Sequence, residues 1–288
     1  MKKRFITVVT LATCLLGCSY FESEADQALR LSKTYQLEIK AGDPSLFYPE
    51  QFDKQPSNLK MEETSLEEAS EALDGIEKAL IIYPPDFVPT IIDAIYICGP
   101  MWMDGAVAGG TYGKKKLILS SISKWNGTKV NYNNALRAVH HELSSQIYTP
   151  SIFTRLAWSA LMPPDWKSAV NNYDALMVNH DLPPDYNSGF LTQYGKTSTE
   201  NDFNVYAEFA FAEPARLRLL AQQHPIIAKK LGLLISAYTN ISPEFSDAFD
   251  SYFAKTGLSE VAINTEKAEL TLHLDIDVDN LHPTISQE

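Results

Sequence analysis

The sequence predicts an α+β fold that is mostly helical and contains a small mixed sheet. Several segments repeat apolar residues at the spacing of an amphipathic helix, and they cover residues 66–80, 133–148, 226–238 and 243–255. Two short apolar runs, 91–98 and 117–120, are typical of buried strands. Strict alternation of apolar and polar residues over 270–278 indicates one half-buried strand near the C-terminus.

The N-terminus has the pattern of a bacterial secretory signal. Basic residues at 2–4 precede an apolar run over 5–16 that is too short to span a bilayer. The sequence Leu-Leu-Gly-Cys that ends at Cys18 resembles a lipobox, which implies cleavage before Cys18 and acylation of that cysteine. Ser19 after it implies, by the same resemblance, sorting to the outer membrane. The alternative is an ordinary signal peptide with an incidental cysteine.

We therefore expect a cell-envelope protein with a lipid anchor at Cys18, facing the periplasm. The predicted parts are a signal peptide over 1–17, a lipidated tether over 18–44, a domain over 45–260, and a C-terminal strand and tail over 261–288. The tether is predicted from the charged composition after the cysteine, in which only a short helix is expected.

Charge and cysteine content exclude several classes of partner and bond. Removal of the basic signal residues takes the formal net charge from −12 to −15, and no basic patch remains that could bind nucleic acid. Cys14 leaves with the signal and Cys18 is expected to be lipidated, so Cys98 remains alone and no intramolecular disulfide is expected in the mature chain. Because Cys98 lies in an apolar run, we predict a buried thiol.

A capping-box pattern marks the first helix of the domain. Ser65 and Glu68 are spaced so that each side chain can bond the backbone amide of the other. The helix that follows is expected to end before Pro84-Pro85.

Two strands are expected next. The β-branched run over 91–98 ends at Gly99-Pro100, which predicts a strand buried on both faces. The glycine-rich segment 105–113 lacks the Gly-Lys-Ser/Thr start of a helix that a phosphate-binding loop requires. We interpret it as a hairpin loop that leads into a second strand at 117–120.

The helix over 133–148 carries the residues of greatest chemical interest. His141-Glu142 is the beginning of the motif His-Glu-x-x-His, in which two histidines one turn apart bind zinc and the glutamate polarises water. Ser145 stands where the second histidine would be. His140 projects about 100° around the helix from His141, so the two histidines are not expected to chelate one ion.

A second informative segment covers residues 189–208. It reads Gly-Phe-Leu-Thr-Gln-Tyr, followed by a polar loop and a helix. Together with His141-Glu142 it resembles a bacterial gluzincin-like family of lipoprotein and secreted metallopeptidases. The resemblance covers about residues 90–215 and implies a zincin-like metallopeptidase domain.

The resemblance also implies positions for the site residues. Tyr194 matches a tyrosine that points into the family's site, and Asp202-Phe203 matches an Asp-Phe pair at the start of its second helix. The family's third zinc ligand, a glutamate, then falls on Asn201. If the end of the motif is matched to Tyr206-Ala207-Glu208 instead, it falls on Asn204. Either alignment replaces the carboxylate by an amide.

Three hypotheses for function remain. In the first, the domain keeps the zincin scaffold, has lost the metal, needs no cofactor and acts as a binding or structural lipoprotein, whose partner would be a peptide or an envelope protein. In the alternative, it is an active zinc-dependent peptidase with His141 as a ligand, Glu142 as general base and Tyr194 as oxyanion donor, and Glu200 or Asp202 supplies the missing ligand. In the third, the His-His-Glu sequence is a chance polar patch in an unrelated domain.

The first hypothesis makes a structural expectation. Ser144, Ser145 and Asn201 should form a polar, hydrogen-bonded lining, and His141 should pair with Glu142 or both with Tyr194.

Overall fold

The structure is a computed structural model that describes residues 22–49, 59–122, 124–125, 128–129 and 131–253. The lipobox with Cys18 and the predicted strand over 270–278 lie outside the described residues.

The described chain alternates helices and short strands before it becomes helical. The first half contains α1 (Glu24–Tyr35), β1 (Glu38–Ala41), β2 (Lys60–Met61), α2 (Ser70–Leu80), α3 (Val88–Ile91), β3 (Ala94–Cys98), β4 (Met101–Met103), β5 (Ala106–Val107), β6 (Gly110–Gly113), β7 (Lys116–Ser120), β8 (Lys124–Trp125) and β9 (Thr128–Lys129). The second half contains α4 (Asn131–Tyr148), α5 (Ile152–Ala160), α6 (Asn172–Leu176), α7 (Thr199–Ala212), α8 (Pro214–Gln223), α9 (Pro225–Ile241) and α10 (Phe245–Phe253). The prediction of an α+β fold that is mostly helical, with small sheets, is confirmed.

The main sheet has four strands in the order β1–β3–β7–β6. The first three are parallel, with Ile39 beside Ile95 and Ile95 beside Leu117, and β6 runs antiparallel to β7 at the edge. The run predicted as a doubly buried strand forms the centre of this sheet, where Ile97 and Cys98 are fully buried. The predicted burial of the Cys98 thiol is confirmed, and this burial raises its pKa to about 12. Two smaller sheets comprise β2–β4–β5 and the pair β8–β9.

The segment predicted as a tether is folded from α1 onward. Leu31 and Tyr35 of α1 are buried in the main core, and Ile39 of β1 pairs with the central strand β3. The short helix expected within the predicted tether is present as α1, and residues 24–41 pack against the rest of the domain. High charge concealed an amphipathic pattern, because the charged side chains occupy the outer faces of both elements.

The glycine-rich segment 105–113 also differs from its predicted form. Instead of a hairpin loop, it contains β5 and the edge strand β6, whose Thr111 and Tyr112 pair with Ile118 and Leu117. The turn that joins β6 to β7 is shorter and lies at Lys114-Lys115, where Lys115 has a φ of 55°.

Helix α4 is the centre of the domain. Helix α2 crosses it so closely that a Cβ atom on Gly75 would lie 2.3 Å from the carbonyl oxygen of Tyr132. Helix α7 packs on another side, and β6 and β7 pack on a third. Because α4 is enclosed by these elements, several of its polar residues are buried, including His140, whose Nδ1 lies 2.8 Å from the Tyr83 hydroxyl.

Two local predictions are confirmed by hydrogen bonds and helix ends. Glu68 donates its backbone amide to Ser65 Oγ over 3.2 Å, and Ser65 donates its amide to the Glu68 carboxylate over 3.1 Å. The helix that follows the capping box was predicted to end before Pro84-Pro85, and α2 ends at Leu80. In the part of the chain that the structure describes, no helix is long and apolar enough to cross a membrane.

Candidate functional site

A cavity of about 400 Å³ opens beside the central helix. Its walls come from the edge strand β6, from α4, from the first turns of α7 and the segment before it, and from the region of α6. Polar residues from the first three of these elements face it: Thr111, Tyr112, His141, Glu142, Ser145, Tyr194, Thr197, Ser198, Glu200, Asn201 and Asn204.

The cavity brings together most of the residues that the sequence singled out. His141, Glu142 and Ser145 face it from α4, and Tyr194 and Glu200 face it from the second informative segment. The sequence motifs are separated by about fifty residues, so only the packing of α7 against α4 places them in one cleft.

His141 pairs with a carboxylate that the sequence did not predict. Its Nδ1 donates a hydrogen bond to Glu208 Oε1 over 2.7 Å, and Arg137 lies 3.5 Å from the other oxygen of Glu208. The His141 ring also packs on Tyr194, with ring centroids 5.7 Å apart. Burial lowers the pKa of His141, but the hydrogen bond to Glu208 and the charge of Glu142 outweigh it, so the pKa lies above its ordinary value.

A hydrogen-bonded triad of neutral side chains occupies the next turn. Ser144 Oγ donates to Asn204 Oδ1 over 2.6 Å, and Asn204 Nδ2 donates to Ser145 Oγ over 2.7 Å. All three side chains are at most 1% exposed. The expected serine–asparagine lining is therefore present around Asn204 and not around Asn201, whose amide instead donates to Thr197 Oγ1 over 2.8 Å.

Glu142 reaches the cavity without a partner from the described residues. Its side chain is only 8% exposed, and Gly110 of β6 makes room for it, since a Cβ there would lie 3.2 Å from Glu142 Oε1. Burial raises the pKa of Glu142 to about 7; His141 opposes the shift, and the charges of Glu200 and Glu208 add to it.

Two tyrosines complete the polar wall. Tyr112 donates its hydroxyl to Glu200 Oε1 over 2.9 Å, and burial raises the pKa of Tyr112 to about 12. Burial also raises the pKa of Tyr194, with Glu142 adding to the shift. Both hydroxyls therefore stay protonated at neutral pH and can donate hydrogen bonds.

Asp202, which the sequence offered as a metal ligand, does not line the cavity. Its Oδ2 accepts hydrogen bonds from Lys230 Nζ over 2.6 Å and from Trp158 Nε1 over 2.9 Å, and Lys230 also donates to the Gly189 carbonyl over 3.0 Å. Asp202 and Lys230 are both fully buried. The Asp202 carboxylate is held in this ion pair through Oδ2 and lies outside the cavity, so Asp202 is not placed as a ligand beside His141.

A catalytic zinc ion is the group that the family resemblance implies for this cavity. Such an ion needs three protein ligands and an open position. Within the described residues, no group of three or more His, Cys, Asp or Glu side chains is arranged to hold a metal. His141 is the one imidazole among the described lining residues, and Ser145 and Asn204 are bonded to each other.

One residue of the site, Glu208, had a signal in the sequence that was not used. Glu208 lies four positions after Asn204, so it projects from the same face of α7 and one turn further along. The alternative alignment that selected Asn204 would have placed Glu208 beside His141. Gly110 gave no such signal, because its role depends on the pairing of β6 with β7.

Comparisons of the chain with protein-family models, with curated protein sequences and with solved structures find no match. The residues of the cavity are therefore the basis on which a function can be inferred.

Proposed function

We propose that this protein is a cell-envelope lipoprotein with a zincin-like domain that binds a ligand in the cavity without a catalytic zinc ion. The observation that carries the proposal is the triad of Ser144, Asn204 and Ser145, which is buried and bonded within itself. A hydroxyl and an amide occupy the positions at which the family resemblance places a histidine and a carboxylate.

The Ser145 hydroxyl and the Asn204 amide are poor zinc ligands, and both already have hydrogen-bond partners. Zinc in proteins is bound by imidazole, thiolate and carboxylate groups. To reach an ion, Ser145 and Asn204 would have to leave hydrogen bonds that contribute about 1 kcal/mol each, and the buried groups left unpaired would cost more. These neutral side chains satisfy one another's hydrogen bonds, so the lining does not need a metal ion for stability.

The zincin-like part of the proposal draws support from the arrangement of α4, β6 and α7. His141 and Glu142 lie on the central helix, an antiparallel edge strand borders the cavity, and α7 packs opposite. The hydrogen bond from His141 Nδ1 to Glu208 is of the kind that orients histidine in metal sites. In this proposal His141 keeps Glu208 as the partner that orients its ring, although the other zinc ligands of the family are absent.

A gain-of-binding experiment tests the proposal. The double change Ser145→His with Asn204→Glu should create a zinc site with His141, whereas Ser145→His with Asn201→Glu should not, because Asn201 bonds to Thr197 and not to α4. Zinc affinity would be measured by competition with a coloured chelator. Equal affinities in the two double variants would contradict the assigned role of Asn204.

A zinc-dependent peptidase remains the second candidate, and one observation favours it. Glu142 faces the cavity and its pKa of about 7 suits a general base at neutral pH. The missing ligands count against it, because one imidazole does not hold a catalytic zinc. Peptide hydrolysis that is lost on Glu142→Gln would support this candidate over the first.

A further inference from the structure

The Glu142 carboxyl is placed to receive a donor from a ligand. It is more than nine-tenths buried, it lines the cavity, and no hydrogen bond or ion pair reaches it from the described residues. A buried polar group without a partner is costly, so one that faces a cavity is best explained by a partner that enters the cavity.

The charges around the cavity favour a cation. Glu200 lines the same cavity from α7. One of its carboxylate oxygens, Oε1, accepts a hydrogen bond from the Tyr112 hydroxyl. Among the described lining residues there is no Lys or Arg. The imidazole of His141 is bonded to Glu208 over 2.7 Å. The other described lining side chains are neutral, so the two carboxyl groups of Glu142 and Glu200 outnumber the one imidazole among the described lining residues.

The cavity also has a partly apolar wall, which includes the polar side chains of Asn171 and Asn172. Met103, Ala108, Ala175 and Leu176 contribute to it, and Val170 is 90% exposed beside it. A ligand that places a cation at Glu142 would therefore set an apolar body against this wall. The volume of about 400 Å³ lies within the range of small-molecule sites.

We propose that the cavity binds a small organic amine, with a primary ammonium group at Glu142 and an apolar body against the wall around Leu176. An ammonium group is compact and donates three hydrogen bonds, so it can satisfy Glu142 directly, which a quaternary ammonium cannot do. A free amino acid fits less well, because its carboxylate would find no cation among the described lining residues. The inference rests on the proposed function, since it takes the cavity as a binding site without metal.

Three probes that share one carbon skeleton test the inference. Isoamylamine carries the ammonium group, isoamyl alcohol replaces it by a neutral hydroxyl, and leucine adds a carboxylate beside it. Binding to the purified mature chain in mild detergent would be measured at pH 7.5 by ligand-observed NMR titration. We expect isoamylamine to bind at least about tenfold more tightly than either of the others, the difference that one charge-assisted hydrogen bond supplies.

Two variants and a control locate the ammonium group. Glu142→Gln keeps the shape of the side chain and should weaken isoamylamine about tenfold without changing the binding of the alcohol. Glu200→Gln should weaken it less, since Glu200 already has a partner in Tyr112. Glu67→Gln, at an exposed position outside the cavity, should change nothing.

The inference is overturned if the alcohol or leucine binds as well as the amine, if no amine binding is detected, or if Glu142→Gln leaves amine binding unchanged. The zinc content of the same preparation shows whether such a result contradicts the inference alone or the proposed function as well. A zinc-free protein that does not prefer the amine contradicts only the inference, whereas stoichiometric zinc contradicts the proposed function.

Discussion

His141 donates a hydrogen bond from Nδ1 to Glu208 Oε1 over 2.7 Å and so joins the central helix to the helix that packs across it. We expect Glu208→Gln to lower the pKa of His141, because burial then acts with less opposition. NMR titration of the His141 ring would measure the shift. The exposed change Glu71→Gln, in the first turn of α2, serves as the control.

The same pair predicts the sign of a pH effect on stability. The pKa of His141 is higher in the folded than in the unfolded chain, so its contribution to the free energy of unfolding is complete below the unfolded pKa. That contribution is lost as the pH rises through the folded pKa. Urea unfolding at a series of pH values should show this loss in the wild type and a smaller one in Glu208→Gln; identical profiles would count against the pair.

Gly75 permits the close crossing of α2 and α4. An alanine there would bring its Cβ to 2.3 Å from the Tyr132 carbonyl oxygen, so the helices would have to separate. We expect Gly75→Ala to lower the free energy of unfolding by about 1–3 kcal/mol, although alanine is the better helix former. Gly109→Ala is the matched control, since its Cβ would meet nothing within 4 Å. Equal stability of the two variants would show that the helices adjust freely.

Lys230 and Asp202 form a fully buried ion pair away from the cavity. Lys230→Met removes the ammonium group and leaves the Asp202 carboxylate buried without its counter-charge. This change should lower the free energy of unfolding by about 3–5 kcal/mol. The double variant Lys230→Met with Asp202→Asn should recover part of that loss, because no uncompensated charge remains. Denaturant unfolding of the single and double variants measures the coupling, and strict additivity would mean that the pair is not coupled.

The lipid anchor is tested by fractionation. The protein should sediment with membranes and incorporate acyl label through Cys18, and Cys18→Ala should remove both properties. Cys98→Ala, at the buried thiol of β3, should leave the acyl labelling intact. Label that persists in Cys18→Ala would contradict the lipoprotein assignment.

Local sequence patterns were sufficient for elements with strong periodicity and clear ends. The helix around His141 and the capping box at Ser65 both depend on neighbouring residues, and the structure contains both. The edge strand β6 was missed because glycine has low strand propensity, and its pairing with β7 compensates for that.

The candidate site depended on tertiary packing to a larger degree. The sequence left two positions open, Asn201 and Asn204, because both lie near the start of α7. Only the rotation of α7 against α4 decides which one contacts Ser144 and Ser145. The same rotation brings Glu208 to His141, a pair between residues that are 67 positions apart.

The most direct test of the account is the zinc content of the unmodified protein. The purified mature chain would be incubated with excess zinc, desalted and measured by inductively coupled plasma mass spectrometry, alongside His141→Ala. The account predicts well under one zinc per chain in both, because Ser145 and Asn204 are neutral and bonded to each other. One zinc per chain in the wild type, lost in His141→Ala, would contradict it.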